Sequence, residues 1–341
     1  MKKTLLASAI AAATFSGAVA AQDSNMPSFY GNIQYVYTYS DSDVNGAAGE
    51  HADNGTTVGL THSHAITSGI EGFMKIELEV ASAEEKGAGN GLVDLDEAYI
   101  GVKGDSFGQV WIGSDDSIYE TQLGDYGNWV FEYAGLNPYA SATTGEGDLL
   151  QYMSPSFGGL TLMGAVQVNG EGEGFAEESY PYQLGATYSM GGLTASLIMD
   201  SNDGDSTYSG GPGSPDFSNE NSYGVAFEYT IDALVLDAYY DMRSAADGAT
   251  DNGDFTFDGS EGRSQIGVMG TYNLGPNTFR LAYEMAETDA EGLEVDVLTI
   301  QALHNVSSNL YVYTELAQRN NENGAAEEEI NQINVGGVYY F

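Results

Sequence analysis

The sequence predicts an all-β protein, a 16-stranded antiparallel transmembrane β-barrel, and three observations carry that expectation. The chain ends on a strand in which Ile333, Val335, Gly337, Tyr339 and Phe341 share one face, while Gln332, Asn334 and Gly336 share the other. Apolar residues toward lipid and small polar ones toward a wet interior are how a membrane-barrel strand reads. At the other end, Met1-Lys2-Lys3 precedes an apolar stretch from Leu5 to Val19 and small residues at Ala18, Ala20 and Ala21. That is a secretory signal peptide over 1–21, leaving 22–341 as one barrel domain. Thirdly, tight turns alternate with long acidic connections along the chain, and no later apolar run approaches the ~20 residues of a membrane helix.

The tight turns fall at Lys103–Gly108, Pro155–Gly159, Met190–Gly192 and Leu274–Asn277; the long connections fall at 41–54, 169–180, 200–221, 243–261 and 319–329. Between them, period-2 runs place strands at 28–40, 55–64, 70–80, 94–103, 108–114, 148–154, 159–168 and 181–190. The second half continues with 192–200, 221–230, 233–243, 262–273, 277–287, 294–303, 308–319 and 330–341. Parity then assigns faces. Leu234, Leu236, Ala238, Tyr240 and Met242 oppose Val235, Asp237, Tyr239 and Asp241; Phe279, Leu281, Tyr283 and Met285 oppose Arg280, Ala282 and Glu284. In 70–80, Met74, Ile76, Leu78 and Val80 oppose Phe73, Lys75, Glu77 and Glu79. A charge on the lipid face costs a few kcal/mol, so the charged faces point inward. The connection from Ser114 to Gly147 is too long for a hairpin and is expected to fold into the barrel.

The chain carries 50 Asp+Glu against 9 Lys+Arg, a formal charge of −41, and no cysteine. Nucleic acid is thereby excluded as a partner, since binding it needs a basic surface, and neither disulfides nor thiol chemistry are available. The acid excess suits either solvation in a salty medium or a cation-attracting field.

Segments Glu97-Ala98-Tyr99-Ile100-Gly101-Val102-Lys103-Gly104-Asp105, Gly108-Gln109-Val110-Trp111-Ile112-Gly113 and Gln151–Gly159, with the terminal strand, make the chain resemble the general diffusion porins of Gram-negative outer membranes. The resemblance implies a homotrimer in outer-membrane lipid and lipopolysaccharide, with the third external loop, about 114–147, folded inward. Phe131-Glu132-Tyr133-Ala134-Gly135 looks like the family's Pro-Glu-Phe-Gly-Gly stretch, placing Glu132 as the pore-facing acid, and the family's second loop acid falls on Asn128. The arginines that such porins set opposite the loop correspond to Thr57, Ser114 and Gln151, and the Arg of an Arg-x-Ala-Tyr segment is Glu97. No Lys or Arg lies between Lys103 and Arg243. The expected lining is therefore acidic: Glu71, Glu77, Glu79, Glu97, Glu132, Glu228, Asp237, Asp241, Glu284 and Glu315, offset in part by Lys75, Arg243, Arg263, Arg280 and Arg319. Rings of carboxylates favour cations.

Other constellations carry less. His62 and His64 share a strand face but have no third metal ligand in view. Gly170–Gly174 precedes no helix and has no basic residue for phosphate, and Asp200–Asp205 lacks the twelfth-position Glu of an EF-hand loop. His51 and His304 have no partner set for a hydrolase. Trp111 and Trp129 leave room for sugar stacking, although packing of the loop against the wall explains them as well. No enzyme and no cofactor is expected; acidic loops offer at most a loose hold on Ca²⁺ or Mg²⁺ bridging lipopolysaccharide phosphates. The expectation is a passive, cation-preferring channel for small hydrophilic solutes in the outer membrane of a halophilic or marine Gram-negative bacterium. A sugar-specific or other substrate-specific porin, and a structural or adhesive barrel, are the alternatives.

Overall fold

The computed structural model describes residues 26–80, 93–126, 130–136, 146–169, 178–203, 220–245, 261–288 and 292–341. Seventeen antiparallel strand segments run in chain order from β1 (Ser28–Ser42), β2 (Gly46–Asp53), β3 (Thr57–Thr67), β4 (Ile70–Val80), β5 (Val93–Gly104) and β6 (Gly108–Ser114). They continue through β7 (Leu149–Met153), β8 (Leu160–Gln167), β9 (Tyr182–Met190), β10 (Leu193–Asp200), β11 (Ser222–Ile231) and β12 (Leu234–Arg243). The last are β13 (Arg263–Leu274), β14 (Asn277–Thr288), β15 (Leu293–Asn305), β16 (Leu310–Asn323) and β17 (Ala326–Tyr340). β1 pairs with β2 through Tyr35↔Asp53 to Ser42↔Gly46 and with β3 through Ser28↔Thr61 to Gly31↔Val58. β2 and β3 are thus one stave interrupted at 54–56, and the barrel has sixteen.

Closure is made by β17 against β1, in register from Asn32↔Tyr340 to Ser42↔Ile330. It extends to the final residue: Gly31 N–H donates to the Phe341 carbonyl at 3.1 Å and Phe341 N–H donates back at 3.0 Å. A Cβ on Gly31 would lie 2.8 Å from the Thr57 backbone carbonyl oxygen as well as 2.7 Å from Phe341 Cζ, and the carbonyl cannot swing away, so the seam needs glycine there. The Phe341 ring then rests 5.9 Å from Phe29 on the outward face.

Alternation sorts the two faces as expected. Leu281, Tyr283 and Met285 are exposed, while Arg280, Ala282 and Glu284 between them are buried. The same holds for Leu236, Tyr240 and Met242 against Asp237, Tyr239 and Asp241. An outer surface this apolar, continuous around a closed sheet, is a lipid-facing belt rather than a surface for water.

Two connections differ from the sequence reading. The stretches 41–54 and 319–329 are largely strand, because β1, β2, β16 and β17 continue pairing beyond the belt through partners such as Asp41↔Asn331 and Asn321↔Glu328. Acidic and amide side chains there read as loop by composition, but a neighbouring strand with free backbone groups makes the ladder the better hydrogen-bonding solution. A second departure is a β-bulge: Glu77 faces Glu97 but Leu78 faces Leu95, leaving Asp96 as the extra residue in β5.

Candidate functional site

Three clusters of buried apolar residues join the 114–147 connection to the inward wall, and a fourth, around Val36, Leu303, Tyr311, Tyr313 and Val338, lies within the wall itself. Ser117 caps a short helix, α1 (Ile118–Leu123), accepting from the Glu120 N–H, as a Ser three residues before a Glu is suited to do. Ile118, Tyr119 and Leu123 of α1 pack with Met163, Ala165, Ile198, Ala226 and Tyr239 on inward faces of β8, β10, β11 and β12. Further along the same connection, Phe131 packs with Met269 and Ala282, and Ala134 and Leu136 with Ala286, Val295, Val297 and Ala317. Leu123→Ala should loosen α1 by about 2–4 kcal/mol, the usual cost of such a truncation, and limited proteolysis of the folded barrel should detect the loosening as faster nicking of this connection.

Polar anchors fix the connection more tightly still. Tyr119 donates its hydroxyl to Asp241 and its N–H to Gln183 Oε1 at 3.1 Å, and Thr187 bonds Gln122 at 2.7 Å. Glu315 accepts three successive backbone N–H groups, from Glu132 at 2.6 Å, Tyr133 at 3.1 Å and Ala134 at 3.1 Å. Gln301 and Asn334 complete its shell at 2.8 and 3.1 Å. Glu284 accepts the Leu136 N–H at 3.1 Å and the Tyr239 hydroxyl at 2.7 Å. A carboxylate saturated in this way is a clamp for backbone.

The predicted site residues divide into three groups. Lys75, Glu77 and Glu97 come together on the inward face of β4 and β5: Lys75 Nζ is 2.5 Å from Glu97 and 3.7 Å from Glu77. Glu132 lies elsewhere, with its carboxylate accepting the Tyr311 hydroxyl at 3.0 Å and its carbonyl accepting Asn54 Nδ2 at 2.7 Å. The third group is spent on structure. Gln151 is 1% exposed and donates to Asp115 and the Asp116 carbonyl; Arg280 is 6% exposed and bonds Gln301. Neither opens to lumen water.

Thr57 is half-buried and accepts from Asn32 Nδ2 at 2.9 Å, and Glu79 is exposed opposite Thr57 and Asp94. Ser114 pairs with Ala98 and shares the parity of Ile112, which is 54% exposed, so its register is outward. Three of the expected lining acids, Glu284, Glu315 and Asp241, are fully buried beneath the connection and serve as its acceptors. Asn128 and Trp129, the Gly170–Gly174 stretch, and most of the acidic connections at 200–221 and 243–261 lie outside the described residues. Trp111 is buried and donates Nε1–H to Asp115 at 2.6 Å, the packing role rather than an open aromatic platform.

Sequence reasoning passed over Asp115 and Asp116, whose adjacency to the end of β6 was the available signal. Both are half-buried. Burial pushes the Asp115 carboxyl up to about 6 against the Trp111 hydrogen bond, and burial with the charges of Asp115 and Glu146 pushes Asp116 up to about 6. Burial likewise raises Glu132 to about 7, opposed by the Tyr311 hydrogen bond and assisted by the Glu315 charge. Asp116, Glu120 and Glu146 also stand close enough to share a cation, although clustered acids are common without one. His62 and His64 stack at 5.6 Å on β3, in register with Met74 and Gly72 on the outward face.

A closed barrel with an apolar outer belt, a polar inner wall and a long connection bonded to that wall defines the class of pore-forming outer-membrane barrels. Within it, the chain belongs to the Gram-negative porin family, which it matches over residues 7–324. It is a passive outer-membrane channel and not an enzyme. Over 381 aligned residues and the full length of both chains, it is 30% identical to a monosaccharide porin of a Halomonas species and to the major outer membrane protein of Halomonas elongata. The anion-selective porin from Comamonas acidovorans shares the fold with a TM-score of 0.74 at 14% identity, covering 93% of this chain and 100% of that one. Salmonella typhi OmpF in complex with daunomycin gives 0.72 at 16% identity, over 94% and 98%. The trimer form of OmpT from Vibrio cholerae gives 0.66 at 13% identity, over 94% and 100%.

Proposed function

We propose that this porin is a cation-preferring diffusion channel for small hydrophilic solutes, narrowed by the 114–147 loop folded into the lumen and working as a homotrimer after removal of residues 1–21. One observation carries the reading: hydrogen bonds from Glu132, Tyr133, Ala134 and Leu136 to Glu315 and Glu284 tie the loop to inward side chains. Across the wall at the start of that loop, Glu77, Glu97, Asp115 and Asp116 face one lysine, Lys75. Electrostatic bias of this kind sorts ions by sign while the loop sorts solutes by size. Outer-leaflet lipopolysaccharide is the expected lipid partner, with Ca²⁺ or Mg²⁺ held loosely at acidic loops, and the acid excess fits a halophilic or marine habitat.

The test is the reversal potential of the reconstituted mature channel across a planar bilayer under a KCl gradient. The expected sign is that of a cation-permeable pore, collapsing toward zero in molar salt as the field is screened. An anion-side potential would sink the reading. The 30% identity to a monosaccharide porin keeps a sugar channel as the second reading; saturable monosaccharide flux, with sugar block of the ionic current, would favour it.

Acid should weaken the cation preference. Glu132 holds its proton up to about 7, and Asp115 and Asp116 up to about 6, so all three lose charge between pH 8 and pH 5. The sign for loop docking follows from the same shift. Because the docked Glu132 carboxyl binds its proton more tightly than a free one, its contribution to docking is complete below the free value of 4.5 and is lost as pH rises through about 7. Reversal potentials at pH 8 and pH 5 should therefore differ, and Glu132→Gln should shrink the difference.

A further inference from the structure

We propose that Lys75 is a specificity-determining residue: a tethered counter-cation that neutralises part of the acidic wall and so sets how strongly the pore prefers cations. The inference rests on the channel reading above, but it concerns one side chain and has its own signature.

Lys75 sits on the inward face of β4, directly across from Tyr99 on β5 and Thr61 on β3. Its ammonium contacts Glu97 at 2.5 Å and Glu77 at 3.7 Å, and it stands 6.0 Å from the centre of the Tyr30 ring. The side chain keeps 23% of its surface accessible, and the two carboxylate side chains 12% each. The group is therefore a wall element still in touch with lumen water, not a sealed ion pair. The loop carboxylates Asp115 and Asp116 lie within its electrostatic reach.

The other described inward cation on this side, Lys103, is paired with Glu71 at 2.9 Å, four residues away from Lys75 along β4 at the tight-turn end. At about 3.3 Å per residue that places Lys103 about 13 Å from Lys75 along the wall, beside a carboxylate of its own. Lys75 is thus the local counter-charge. With it, the contact triad Glu77–Lys75–Glu97 sums to −1; without it, the sum is −2. A permeating cation meets that difference at a few ångströms. Even in high dielectric, one unit charge at such a distance changes the occupancy of a passing ion by about threefold. A compact, strongly hydrated ammonium on a flexible stem suits the role, since it screens without forming the rigid fork of an arginine.

The experiment measures reversal potentials of reconstituted wild type and variants in a dilute KCl gradient. Lys75→Gln should raise the potassium-to-chloride permeability ratio about threefold, and Glu97→Gln, which leaves the ammonium short of its nearest partner, should lower it by a similar factor. Lys75→Gln combined with Glu97→Gln restores the sum of −1 and should return the ratio to near the wild-type value. A merely structural role for Lys75 would not produce opposite shifts that cancel in the double variant. Heat-modifiable mobility on gels reports whether each barrel folds. If Lys75→Gln does not fold, Glu97→Gln and the double variant still decide the matter, because the double should exceed Glu97→Gln by about threefold.

Single variants that leave the ratio unchanged, or that shift it in the same direction, would overturn the proposal. The channel reading is judged separately by the wild type alone. An anion-selective wild type whose variants still move in opposite directions would overturn cation preference and keep the role of Lys75; a cation-selective wild type with unmoved variants would do the reverse.

Discussion

Replacing Glu315 with alanine should release the loop and change the pore more than any other single substitution in the wall. The carboxylate accepts the N–H groups of Glu132, Tyr133 and Ala134 and two side-chain amides, and it is wholly buried. Hydrogen bonds to a charged group contribute about 1.5–3 kcal/mol each, so losing three at once should weaken docking by several kcal/mol, with less than full additivity. β16 itself keeps its ladder to β15 and β17, so the barrel should still form. The expected result is a folded, heat-modifiable protein whose single-channel conductance and solute exclusion limit both change, with frequent closures as the freed loop moves. Glu315→Gln keeps one acceptor oxygen and should fall between. Liposome swelling with a graded series of sugars checks the exclusion limit; a limit identical to wild type for the alanine variant would mean that the loop does not set it.

The second large effect is expected on the opposite face. Leu281→Arg places a charge on an outward position that is 53% exposed, between Phe279 and Tyr283 in the apolar belt. Arginine on the lipid face near the bilayer midplane costs about 2–4 kcal/mol. Unfolding from lipid vesicles should then show a free energy lowered by about that much, read as a lower urea midpoint at unchanged slope, while Leu281→Phe, which keeps the position apolar, should stay near wild type. Equal stability of the two variants would mean that this face is covered by protein rather than lipid, as it would be at a subunit contact.

Much of this was legible from residues alone, and the reason is local. A strand that divides lipid from water must alternate, so the facing of Leu281, Glu284, Asp237 and Phe341 followed from parity. The turns wrote themselves as Gly191-Gly192 and Gly275-Pro276 because tight reversals draw on the positive φ open to glycine and the φ that proline's ring presets; Gly191 and Gly275 do adopt positive φ. The strand ends at 41–54 and 319–329 were misread because composition reports solvation, while pairing depends on whether a neighbouring strand reaches that far.

What the sequence by itself determined is the barrel: its face pattern, its stave number and its surplus of acids. Only the tertiary structure decided what those acids do. Parity placed Glu315, Glu284, Glu77 and Glu97 on one inner wall, but the first two are buried as acceptors for loop backbone and the last two share the Lys75 ammonium. Lys75 with Glu77 and Glu97 joins neighbouring strands; Glu315 with Glu132 joins residues 183 apart. Alternation along a strand is set by covalent geometry, whereas which carboxylate meets an amide, an ammonium or water depends on ring closure and on where the loop comes to rest.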